Sequence, residues 1–153
     1  MGCDIHAYSE KRVNDAWEYV WEVDFWRNYS LFWFLAWVRN YDCKKPLSEP
    51  RWIPDNISIE VKKEYEEWWD DAHSASWFIL QDLLDVDYEK TFWNRRISKT
   101  VWNYTDWAAL ANEWEWKIES LRENLWKWYF DKLEELKSIW DPENVRIVFW
   151  FDN

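Results

Sequence analysis

Apolar and polar residues alternate from Cys3 to Val13, with Cys3, Ile5 and Ala7 on one side and Asp4, His6, Tyr8 and Glu10 on the other. A period of two is the signature of a strand. Asn14-Asp15-Ala16 supplies turn residues. Trp17, Tyr19, Trp21 and Val23 then alternate against Glu18, Val20 and Glu22, so the two segments predict a hairpin. Beyond a linker at 24–28, the apolar run Ser30-Leu-Phe-Trp-Phe-Leu-Ala-Trp-Val-Arg39 predicts a helix over about 29–39. Pro46, Pro50 and Pro54 make 40–56 an irregular loop, because each removes a backbone donor and biases its predecessor away from helix. Ser58 is placed to cap a charged helix running to about Trp68. Residues 71–76 read as a polar loop, and 80–86 as a short helix.

The clearest periodicity lies over 117–139. There Ile118, Leu121, Leu125, Trp128, Tyr129, Leu133, Leu136 and Ile139 recur at steps of three and four and predict a long amphipathic helix, stopped by Trp140-Asp141-Pro142. The closing run Val145-Arg-Ile-Val-Phe-Trp-Phe151 is apolar on both faces, as a buried strand is, and belongs beside the first strand. Residues 89–116 are the least periodic: a short strand near 91–98 and a turn or helix after Asp106. Strands at both ends of a helical middle predict an α+β fold, with a small, mostly antiparallel sheet (N-terminal hairpin plus C-terminal strand) packed with several helices. The length suits one domain over 1–153.

Composition changes this picture at one point. The chain has 18 Trp and one Gly, where ordinary usage of ~7 % would give about 11 glycines. Trp17, Trp77, Trp128 and Trp150 fall where an aromatic belongs. Trp26, Trp52, Trp107, Trp114, Trp116 and Trp140 fall at turns, linkers or helix ends, where chain geometry favours glycine. Trp33 and Trp37, four apart in one helix, occupy the spacing at which small residues allow close helix approach. The simplest mechanism is decoding, with UGA meaning glycine in the source organism and written here as tryptophan. The competing reading is a genuinely tryptophan-rich protein.

A formal net charge of −11 opposes nonspecific attraction to nucleic acid or anionic lipid, so neither is an expected partner. Cys3 and Cys43 form no C-x-x-C, no window is apolar enough for a membrane span, and the first residues carry charge where a signal peptide is apolar. A reduced, cytoplasmic protein is expected.

Met-Gly-Cys-Asp-Ile-His at the start, Asp24-Phe-Trp-Arg-Asn-Tyr-Ser-Leu-Phe, Leu35-Ala-Trp-Val-Arg39, Ser48-Glu-Pro-Arg51, Asp71-Ala-His-Ser74 and the closing Val-Phe-Trp-Phe-Asp-Asn resemble a family of small uncharacterised bacteriophage and prophage proteins. The resemblance covers most of the chain, with 89–116 matching loosely. It implies glycine at Trp26, Trp37 and Trp52, a place in the host cell cytoplasm, and no defined activity.

Both histidines follow an aspartate by two: Asp4-Ile5-His6 and Asp71-Ala72-His73. Residues i and i+2 of a strand share a face, and carboxylate with imidazole suits zinc, manganese or iron. A divalent metal site of Asp4, His6, Asp71, His73 and Asp152 is therefore one expectation. The other is that each aspartate fixes its own histidine by a hydrogen bond. Arg27, Arg39 and Arg51 are candidates for an anion pocket, set against surface ion pairs. Cys3 beside Asp4 is a poor nucleophile, and no nucleophile elbow, phosphate loop or dinucleotide fingerprint is present. Two functions remain: an accessory protein binding a host protein or a small molecule, or a small metal-dependent hydrolase of phosphoesters or nucleotides using the Asp/His site.

Overall fold

The computed structural model describes residues 2–153, with the side chains of residues 107 and 108 outside the described set. In chain order the elements are β1 (Ile5–Val13), β2 (Ala16–Glu22), α1 (Tyr29–Ala36), α2 (Ile59–Glu67), β3 (His73–Ile79), α3 (Leu80–Leu84), β4 (Thr91–Asn94), β5 (Arg96–Val101), β6 (Tyr104–Leu110), β7 (Lys117–Ser120), α4 (Leu121–Lys137) and β8 (Val145–Phe151). The fold is α+β. A four-stranded sheet runs β2-β1-β8-β3, all neighbours antiparallel, with the N-terminal hairpin at one edge and the C-terminal strand inside.

All seven residues of β8 are buried, because both faces of the sheet are covered. On one face Ala7, Ile147, Phe149 and Phe151 meet Phe32 and Leu35 of α1 and Leu125 and Tyr129 of α4. On the other, Tyr8, Val148 and Trp150 meet Val61 and Tyr65, the buried pair of α2, four residues apart. Burying each such large apolar side chain stabilises the fold by about 1.5–3 kcal/mol. Two-sided cover explains why β8 reads as a continuous apolar run.

A charged pair crosses this core. Arg146 Nε donates to Glu10 Oε2 at 2.5 Å, its two terminal nitrogens donate to the side chain and carbonyl of Asn56 at 2.8 and 3.0 Å, and its guanidinium lies 4.1 Å from the Trp17 ring. The other Glu10 oxygen accepts from the backbone N–H of Ser58 at 2.7 Å, and Ser58 in turn caps α2. Paired on neighbouring strands, Glu10 and Arg146 thus hold the α2 entry against the sheet. Burial lowers the Arg146 pKa while Glu10 opposes that shift.

Helix α1 starts where Asn28 Oδ1 accepts from Ser30 and Leu31 N–H, and ends at a left-handed Trp37 rather than near Arg39. Three other expectations are corrected. Residues 73–79, read in part as polar loop, form the edge strand β3, which its small polar Ser74 and Ser76 disguised. Residues 117–120 are not helical: they pair with β4 as β7, and Ser120 with Glu123 makes the capping box that begins α4. After Asp106 the chain continues as β6, paired with β5, instead of a turn or helix.

Candidate functional site

The first and last ordered segments meet at one end of the sheet. Asp4 N–H donates to Asp152 Oδ1 at 2.9 Å, while Asp152 Oδ2 lies 3.1 Å from His6 Nε2. Asp4 itself is gripped by Arg27, whose Nε and Nη2 each donate to one carboxylate oxygen at 2.7 Å. That grip holds the Asp4 carboxyl below the usual carboxylate range. Gly2 makes room for it, since a Cβ there would stand 2.6 Å from Arg27 Nη1. The His6 ring is sandwiched, 4.2 Å from Trp68 and 6.1 Å from Trp150. The predicted proximity of Asp4, His6 and Asp152 is present, as a ring orientated by a carboxylate.

His73 does not join it. On β8, His6 is opposite Trp150 and His73 is opposite Phe151. Successive strand residues project to opposite faces, so the two imidazoles lie on opposite sides of the sheet. His6 is on the α2 side, whereas His73 stacks on Phe151, 6.0 Å away, on the α1 side. Asp71 is exposed in the turn after α2. The expected convergence of both histidines on one metal therefore fails for a geometric reason, and no group of three or more metal-ligating side chains occurs among the described residues. The expected arginine pocket is likewise divided: Arg27 holds Asp4, Arg51 lies 4.7 Å from the Phe78 ring, and Arg39 stands elsewhere.

Arg39 and His73 instead share an open cleft of about 510 Å³. It lies between the end of α1 and the start of β3, and Trp37, Arg39, Tyr41, Pro50, His73 and Ser74 line it. Arg39 donates to Tyr41 Oη at 2.8 Å and to the Gly2 carbonyl at 3.2 Å. His73 Nδ1 is 3.1 Å from Ser74 Oγ, while its Nε2 is buried with no hydrogen-bond partner among the described residues. Trp37, Arg39 and Ser74 all have left-handed backbone, φ 67°, 55° and 52°. Arg39 and Ser74 carry a Cβ in that conformation, and such backbone strain beside a cavity is a physical pointer to function. Cys3, buried near Arg39, has its thiol pKa pushed up by that burial, which suits packing rather than nucleophilic attack.

Sequence reading found Arg39 and His73 but assigned them to different sites. The signal that would have joined them is the pairing of 73–79 with β8, which brings His73 back against the α1 side. Comparison of the chain with protein-family models, curated proteins and solved structures found no match. No described helix is long and apolar enough to cross a membrane.

Proposed function

We propose that the chain is a phage-type accessory protein of the host cytoplasm that works by binding, and that its ligand is a small molecule bearing an acidic group, held in the Arg39–His73 cleft. The cleft carries this reading. Its volume lies in the range of small-molecule sites, and it sets a guanidinium and an imidazole beside the aromatic wall of Tyr41. The resemblance to phage proteins supports the provenance, and the glycine deficit supports its companion proposal, that some tryptophans stand for UGA-encoded glycines. Nucleic acid is a poor partner for a chain of net charge −11. The metal-dependent hydrolase reading needed both histidines at one point and is not carried further.

The test is an NMR titration of the His73 imidazole with small carboxylates and phosphate monoesters. Saturable shifts are expected with at least one of them, weakened about tenfold or more in Arg39→Ala by loss of a charge-assisted hydrogen bond. A His73 signal unmoved by all of them ends the small-molecule reading and leaves a host protein as the partner to seek.

A further inference from the structure

Ten described residues other than glycine have left-handed backbone, and five of them are tryptophans: Trp26 (φ 51°), Trp37 (67°), Trp52 (63°), Trp102 (60°) and Trp126 (65°). Tryptophan is 18 of 153 residues, so ten such positions drawn without regard to type would hold about one. Asn14 and Asp15, also on this list, are the residue types that tolerate the conformation, and they form the turn of the β1–β2 hairpin. A bulky side chain there is an outlier. The sole glycine, Gly2, is not left-handed.

Each position has a local reason to want glycine. Trp37 caps α1, its N–H returning to the Trp33 carbonyl at 3.1 Å, in the left-handed place that glycine usually fills. Trp102-Asn103 is the two-residue link between β5 and β6, with Val101 paired to Tyr104. A positive φ at its first residue is the glycine position of a type II′ turn. Trp126 is the sharpest case: φ 65°, ψ 157° is a region essentially confined to glycine, and it breaks α4 into two helices. Trp26 sits in a tight turn, its N–H bonded to Asp24 Oδ1 at 2.9 Å, and Trp52 lies at a bend between Pro50 and Pro54.

Burial offsets none of this strain. The five indoles are 43 % to 94 % exposed, whereas Trp17, Trp33 and Trp150, all absent from the left-handed set, are buried. Trp33, expected among the glycine positions, packs against Phe92 and Phe34 instead. Trp140, expected as the left-handed residue after α4, is exposed two residues beyond the Ser138 cap but is not left-handed. The side chain of Trp107 lies outside the described residues.

We infer that glycine is the natural residue at 26, 37, 52, 102 and 126, and that the tryptophans there are UGA codons read in a code foreign to the source organism. This deepens the recoding part of the proposed function and is independent of the cleft. Its consequence for the cleft is specific: the indole of Trp37 is not a recognition wall, and Arg39, Tyr41 and His73 are left to hold the ligand.

The experiment has two arms. In the coding DNA, all five positions should be UGA, with UGG at Trp17, Trp33 and Trp150; UGG at Trp102 or Trp126 overturns the inference. In the protein, changing the five together to glycine should raise the urea midpoint of unfolding, while Trp17→Gly and Trp150→Gly should each lower it. An unchanged or lower midpoint for the five-fold variant also overturns the inference. Neither arm measures ligand binding, so the cleft reading stands or falls separately.

Discussion

The central sheet and the segment from β4 to β7 are built from the same alphabet yet held in opposite ways. In the sheet, β8 is buried at every position and clamped by a charge pair inside the core. Between 91 and 120, two small two-stranded ladders, β4-β7 and β5-β6, project with most side chains exposed. Stability resides in the first region. The second rests on its own backbone pairing and on a few anchors, Phe92 against Trp33 and the buried Arg96–Asp42 pair, so substitutions at its exposed positions are felt locally.

The largest test of that contrast is Glu10→Ala. It leaves the Arg146 guanidinium buried and without its carboxylate, and it should lower the unfolding free energy by about 3–5 kcal/mol in urea titrations. A loss under about 1 kcal/mol would mean that the core pair is not what fastens α2 to the sheet.

At the rim of the same sheet, Asp4 with Arg27 should matter less and should show its effect as pH dependence. The folded Asp4 pKa is lowered below its unfolded value of about 3.9, so its contribution is present above that pH and lost as pH falls through the folded value. Both side chains are about half exposed, 47 % and 48 %, so solvent screens the pair. Asp4→Asn should therefore lower the melting temperature slightly near pH 6, and the gap from the parent should close on acidification. A gap that widened with acid would reverse the assignment.

The smallest effect is expected on the β5–β6 hairpin. Thr100 faces Thr105 across it, hydroxyl oxygens 2.9 Å apart in solvent, and Thr100→Ala should change stability by no more than about 0.5 kcal/mol. A larger loss would show that the projecting ladder is coupled to the sheet.

The same contrast explains what was legible in the sequence. β1, β2, α1, the Ser58 cap and β8 rest on runs whose period or end signals are intact, and all were placed within a few residues. β3 was not, because its first half, Ser74-Ala75-Ser76, is small and polar and carries a bulge, so no hydrophobic period is set before Trp77 and Phe78. The β5–β6 hairpin was lost because its turn is written Trp-Asn, in which Asn103 alone is a turn residue and the glycine that marks a two-residue link is missing, although its backbone follows a glycine turn. The candidate site suffered at one remove. His73 could be paired with His6 only while β3 was unknown, since the strand register alone decides which face each ring takes.

Strand order also sets a timetable. β8, the strand that joins β1 to β3, lies more than 130 residues after β1, so its pairings close very long loops and give the fold a high contact order. On the ribosome the hairpin emerges early with the inner edge of β1 unpaired, and it stays so until 145–151 have been made. For that interval Tyr8 and Ala7 have neither face nor edge fully covered, which is the condition under which nascent β-structure associates with the wrong partner. Slow, late completion of the sheet follows from the position of one strand, whatever the protein binds once it is finished.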